Sequence, residues 1–189
     1  MKRITLGCFF SLIFLGLAST AFAQDVNQVD VDFLTRADIV GEGPINAANS
    51  VVIEQIGDFN AVEVLQRQKS RENNRARVLQ RGDQNFAQLV QTGGNNEVFL
   101  LQNGVDNVYS LDLEGTGNEI AVIQNGDQNE INQSLLDSRN LNVEFVQNGD
   151  ANLIEHQADG LVSKDIKVSQ SGSNMQVIIN QTTAVAPLK

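Results

Sequence analysis

The hexapeptide Gln-Asn-Gly-Asp-Gln-Asn at 124–129 returns as Gln-Asn-Gly-Asp-Ala-Asn at 147–152, and both belong to a longer series. Glutamine and asparagine alternate in steps of five and six at Gln55, Asn60 and Gln66. The same steps run through Gln80, Asn85, Gln91, Asn96, Gln102 and Asn107, and again through Asn118, Gln124 and Asn129. The small unit is 11 residues, and twelve such segments end near positions 55, 66, 80, 91, 102, 113, 124, 135, 147, 157, 170 and 181. A fixed period of this kind means stacked structural units, not one conventional core.

Alternate segments resemble each other more than neighbours do. Odd ones close on Gln-x-Gly, placing Gly57, Gly82, Gly104, Gly126, Gly149 and Gly172 two residues after Gln55, Gln80, Gln102, Gln124, Gln147 and Gln170. In the looser even set, Leu113 and Leu135 replace glutamine together. Substitutions that match at 22 residues but not at 11 put residues 22 apart in contact. The expected unit is thus about 22 residues, with two segments per layer and six layers.

An 11-residue period also suits a right-handed helical coil. Against this, Asn-Gly and Gly-Asp pairs at a constant phase would break a helix every turn. Between the turns the chain alternates, as in Asn96, Val98, Leu100, Gln102 and Asn118, Ile120, Val122, Gln124. Period two with β-branched residues predicts strands. The expected fold is all-β, a β-solenoid of strand–turn–strand rungs with the turn at Gln-x-Gly-x-x-Asn.

Rungs stacked at the ~4.8 Å spacing of paired strands bring identical side chains within reach. A primary amide carries two donors and an acceptor, so inward Gln or Asn can hydrogen-bond along the stack and stay satisfied without water. Inward aspartate would stack like charges instead. The expected ladder is Gln55, Asn60, Gln66, Gln80, Asn85, Gln91, Asn96, Gln102, Asn107, Asn118, Gln124, Asn129, Gln147, Asn152, Gln170 and Gln181.

The pattern Gln-x-Gly-x-x-Asn-x-(Ala/Val)-x-apolar-x-Gln resembles the curlin repeat of bacterial curli fibre subunits, over roughly residues 49–181. The resemblance implies a secreted subunit that leaves the cell through an outer-membrane pore with accessory factors. It would polymerise with itself and other curlin-type subunits into an extracellular cross-β fibre, or pilus, for biofilm matrix and adhesion. Where the major subunit opens alternate strands with Ser, this chain has Asn at 74, 85, 96, 107, 118, 129 and 140. That is more similar to the minor, nucleating subunit. The competing reading is a closed, monomeric β-solenoid adhesin that holds sugar or another surface.

The ends carry other signals. Residues 1–23 read as a signal peptide: Lys2 and Arg3, an apolar run, then Ala21-Phe22-Ala23. No later run reaches the ~20 apolar residues of a spanning helix. Without Lys2 and Arg3, eleven basic residues face 23 acidic ones, a net charge near −12 that repels nucleic acid. Cys8, the only cysteine, lies in the signal, so disulfides are excluded afterwards. Residues 24–48 are acidic and unphased, where the resemblance places a secretion-addressing segment; 182–189 form a tail.

Arg67, Lys69, Arg71, Arg75, Arg77 and Arg81 make a basic cluster that could dock a partner subunit or an acidic polysaccharide, or simply neutralise nearby carboxylates. No metal or cofactor site is expected, and His156 reads as an outward strand residue. One histidine and no mature cysteine build no catalytic set. Glu97 and Glu119, 22 apart, should stack and repel, as a brake on premature assembly.

Overall fold

The computed structural model of the chain describes residues 49–69, 72–160 and 164–182. Residues 1–48 and 183–189, and with them the signal, acidic-segment and tail readings, lie outside the described residues, as does Arg71. Thirteen strands and no helix occur among the described residues: β1 (Ser50–Ile56), β2 (Ala61–Gln68), β3 (Arg75–Arg81), β4 (Phe86–Gly94), β5 (Glu97–Asn103), β6 (Val108–Thr116), β7 (Glu119–Asn125), β8 (Glu130–Asn132), β9 (Ser138–Arg139), β10 (Asn142–Asn148), β11 (Leu153–Asp159), β12 (Asp165–Ser171) and β13 (Gln176–Thr182). All pair in parallel. Sheet A runs β1-β3-β5-β7-β10-β12, and sheet B runs β13-β11-β8-β6-β4-β2 with β9 beside β6. The chain is a β-solenoid of six rungs, each contributing one strand to each sheet.

The rung length is read from the register. Gln55 lies opposite Gln80, 25 residues on, because the first rung carries the extra residues of the corner after β2. Gln80, Gln102 and Gln124 then follow at 22. Val108 still pairs with Glu130 at 22, but Gly115 pairs with Ser138 at 23, so one residue is inserted between β8 and β9. The last two steps, to Gln147 and Gln170, are also 23.

Alternation fills the interior. Sheet A sends in the columns Ala76, Val98, Ile120, Val143, Ile166 and Val78, Leu100, Val122, Phe145. Sheet B sends in Ala87, Tyr109, Ile131, Ile154 and Leu89, Leu111. The one large aromatic of that wall, Tyr109, is register partner to small Ala87, and its hydroxyl donates to Gln133 Oε1 at 2.6 Å. Burial holds that hydroxyl neutral by raising its pKa well above the ordinary value.

The A-to-B corner is built the same way in every rung. Glycine comes first at positive φ, +99° to +135°, and the residue two positions later sits near φ +54° to +58° (Phe59, Gln84, Asp106, Gln128, Ala151, Asn174), followed by an asparagine in the first five rungs and by Met175 in the last. At Gly104 the requirement is also steric: an added Cβ would lie 2.0 Å from the Gly126 carbonyl oxygen.

Three sequence-based expectations are overturned here. His156 faces inward and is 2% exposed, because Ile154, His156 and Ala158 share one face of β11. Gln157 therefore points out, and Ala158 takes the inward place of that segment. Asn140 is exposed, at φ 52°, and Leu141 holds the inward corner instead. The inserted residue before β9 causes this shift, since a one-residue slip exchanges the two faces.

Candidate assembly site

One glutamine column runs unbroken through all six rungs of sheet A. Each Nε2 donates to the Oε1 of the next rung: Gln55 to Gln80 at 2.7 Å, Gln80 to Gln102 at 2.8 Å, Gln102 to Gln124 at 2.9 Å, Gln124 to Gln147 at 3.1 Å and Gln147 to Gln170 at 2.9 Å. The second amide hydrogen crosses to sheet B, as from Gln102 to the Phe86 carbonyl at 3.0 Å and from Gln124 to that of Val108 at 3.0 Å. The column thus joins rungs along the axis and the two sheets across it. Gln80, Gln102, Gln124 and Gln147 are fully buried, so unmade bonds there would carry the full desolvation cost.

Sheet B has a shorter column. Gln66 donates to Gln91 at 2.6 Å, after which buried Leu113, buried Leu135 and Ala158 occupy the series, until Gln181 in the last rung. The Gln181 Oε1 has no partner.

Asparagines fill the corners and donate the opposite way along the axis. The series Asn60, Asn85, Asn107, Asn129, Asn152 sits at the A-to-B corner. Asn107 Nδ2 reaches Asn85 Oδ1 at 3.0 Å and the Gly126 carbonyl at 2.8 Å, and its backbone N–H meets the same Oδ1 at 3.2 Å. The other corner carries Asn74, Asn96 and Asn118, where Asn118 Nδ2 donates to Asn96 Oδ1 at 2.9 Å. That series ends when the Leu141 N–H takes Asn118 Oδ1 at 3.1 Å.

A further ladder was not anticipated. Outside the same turn, Asp83, Asp127 and Asp150 accept the backbone N–H of the preceding rung's Asp58, Val105 and Asp127 at 2.8–2.9 Å. These carboxylates are tolerable in a stack because they remain in solvent. The signal was the constant Gly-Asp phase.

The basic residues do not form one patch. Arg75, Arg77 and Arg81 lie on the outer face of sheet A, Arg67 on that of sheet B, and Lys69 at the corner beyond β2. Lys69 pairs with Glu114, and Arg75 with Glu97 at 3.9 Å. Glu97 and Glu119 are register partners. Among the described residues no cluster of three or more His, Cys, Asp or Glu could hold a metal, and no helix is long and apolar enough to cross a membrane.

Among the described residues, both ends of the column are open. β1 and β2 have a partner strand on one side only, as do β12 and β13. Val51 and Ile53 continue interior columns, yet remain 42% and 45% exposed, with no rung beneath them among the described residues. Residues 72–107 match the curlin associated repeat. No curated protein matches the chain.

Proposed function

We propose that this chain, whose residues 72–107 match the curlin associated repeat, is an exported structural subunit that polymerises head to tail into an extracellular curli-type fibre. The observation that carries the reading is the agreement between the first rung and the last. Stacking Asp165–Ser171 and Gln176–Thr182 on the next copy's Ser50–Ile56 and Ala61–Gln68 keeps every interior column in phase. Ile166 and Val168 would meet Val51 and Ile53, Val177 and Ile179 would meet Val62 and Val64, and Gln170 and Gln181 would meet Gln55 and Gln66.

Polarity agrees as well. Glutamine donors point from the first rung toward the last, so an incoming first rung offers Oε1 acceptors to the Nε2 groups of Gln170 and Gln181. Such edges are a template for another chain, which most proteins block and a fibre subunit uses. In this reading residues 1–23 direct export, 24–48 address the secretion pore, and the fibre serves the biofilm matrix and adhesion. The role of the chain is mechanical, not catalytic.

The test is to incubate the chain from Gln24 onward and follow dye binding and fibre diffraction. Fibres with a ~4.7 Å meridional reflection are expected; a species that stays monomeric at all concentrations overturns the reading. Adding traces of this protein to a bulk curlin-repeat subunit separates the two roles within the fibre. A shortened lag with poor assembly alone identifies the nucleator.

A further inference from the structure

The asparagine ladder of the A-to-B corner thins toward the last rung. Three bonds join each step from Asn60 to Asn85, Asn107, Asn129 and Asn152. The earlier asparagine donates Nδ2 to the next rung's corner glycine carbonyl at 2.7–2.9 Å. Its Oδ1 accepts the next asparagine's Nδ2 and backbone N–H at 3.0–3.2 Å. The last step, to Met175, has two: Asn152 Nδ2 to the Gly172 carbonyl at 2.8 Å and the Met175 N–H to Asn152 Oδ1 at 3.1 Å. Beyond Met175 the ladder cannot continue, because a thioether has no N–H to donate and accepts only weakly. Its Cε and Sδ lie 3.7 and 3.9 Å from where a Cβ on Gly172 would sit, so the side chain folds against the last corner glycine.

The B-to-A corner ends in the same manner. Asn49, Asn74, Asn96 and Asn118 each take the next rung's backbone N–H on Oδ1, the last of them from Leu141. Lys164 follows Leu141 in that place, since the carbonyls of Asn118, Leu141 and Lys164 accept equivalent N–H groups from Glu97, Glu119 and Asn142. Its ammonium only donates. The first rung, in contrast, has asparagine at both corners, Asn49 and Asn60. The two ends therefore match in their interior columns and differ at their corners.

We propose that Met175 and Lys164 make the seam between successive copies the weakest step of the fibre, held by the sheets and the glutamines without corner amides. This rests on the head-to-tail reading above and adds what limits the strength of that junction. At the seam the Gly57 carbonyl, the Asn60 N–H and the Asn60 Nδ2 meet Met175, where an asparagine would answer all three. The fibre then parts between subunits instead of within one. Each break leaves a first-rung and a last-rung edge, and both are templates for renewed growth.

The test measures the monomer left at equilibrium with fibres of the chain from Gln24 onward, which reports the affinity of the seam. Fibres are sedimented in urea at a concentration where the parent leaves a measurable amount. Met175→Asn supplies the missing donor and acceptor, and should lower the residual monomer about tenfold or more, because three hydrogen bonds are restored at every junction. Met175→Leu fills the corner without an amide and should stay within about twofold of the parent. A parent that never assembles removes the head-to-tail reading and this proposal with it. A parent that assembles, with the same residual monomer in Met175→Asn, overturns this proposal alone. So does an equal drop in Met175→Leu, which would take the amide out of the cause. If circular dichroism shows that Met175→Asn has lost its β-structure, Lys164→Asn at the exposed opposite corner decides: a lower residual monomer supports the proposal and an unchanged one overturns it.

Discussion

Gln102 Nε2 donates to Gln124 Oε1 at 2.9 Å, with both side chains fully buried, while its own Oε1 accepts from Gln80. Each member of the column is donor and acceptor at once, so the chemistry of the amide cannot be halved. Gln102→Glu leaves Gln124 Oε1 and the Phe86 carbonyl without donors and buries a charge. The expected loss is about 3 kcal/mol or more. Gln102→Leu leaves the same two acceptors without this donor and takes the acceptor from Gln80 Nε2, but buries no charge, so it should cost somewhat less, about 2–3 kcal/mol. Urea unfolding midpoints of the two variants give the comparison. An equal, small effect of both would mean that the column does not support the stack.

Gly104 and Gly172 occupy the same corner in the third and the last rung. A Cβ on Gly104 would meet the Gly126 carbonyl oxygen at 2.0 Å, whereas on Gly172 the nearest atom is Met175 Cε at 3.7 Å. Gly104→Ala should therefore disrupt the monomer, and Gly172→Ala should cost it only backbone strain, about 1–2 kcal/mol. In a head-to-tail fibre, the corner above Gly172 is taken by Gly57 of the next copy. Gly172→Ala is expected to fold and then fail to elongate fibres. Normal elongation rates, followed by dye binding with preformed seeds, would count against end-to-end stacking.

The period and the alternation made the solenoid legible, because each rung repeats one pattern and errors do not accumulate while the repeat is strict. Legibility stopped where a single residue enters. Between Ile131 and Ser138 the register passes from 22 to 23; the seven-residue step from Asn140 to Gln147 marks a slip, but the asparagine pattern masks that Leu141 has taken the inward corner. His156 was readable in principle, since counting by twos from Asn152 through Ile154 puts it inside. The bond from Tyr109 to Gln133 was not, because it joins neighbouring columns in different rungs, 24 residues apart. A reading confined to one column misses diagonal contacts.

Glu97 and Glu119 stand opposite each other on β5 and β7, and among the described residues Glu97 pairs with Arg75 at 3.9 Å. Both are exposed, so their repulsion is small and screened by salt. Glu119→Gln is expected to stabilise the solenoid by about 0.3–1 kcal/mol at low ionic strength and to shorten the assembly lag. The gain should vanish near 1 M salt, where the screening length is about 3 Å. Thermal melts at two salt concentrations provide the check, and a gain that persists in high salt would exclude an electrostatic origin.

His156 stands edge-on to Phe145, ring centroids 5.3 Å apart at 84°, and neither ring nitrogen has a partner. It follows Glu155, the register partner of Asn132, and so shares a column with Gln133, whose Nε2 is also unpartnered. Burial penalises the imidazolium and lowers the pKa from 6.5 to about 4. The unfolded chain therefore takes up this proton first as the pH falls below about 6.5. Stability contributed by the neutral ring is fully present above that pH and is lost down to about 4, where the folded state protonates too. The full loss is about 3 kcal/mol, at 1.36 kcal/mol per pKa unit. The carboxylates titrate in the same range, so the informative quantity is the difference between the parent and His156→Leu. Between pH 7.5 and 4.5 the parent should lose about 2 kcal/mol more than the variant, read from urea midpoints. Parallel losses in the two proteins would mean that the folded ring is solvated and takes up its proton as readily as the unfolded one.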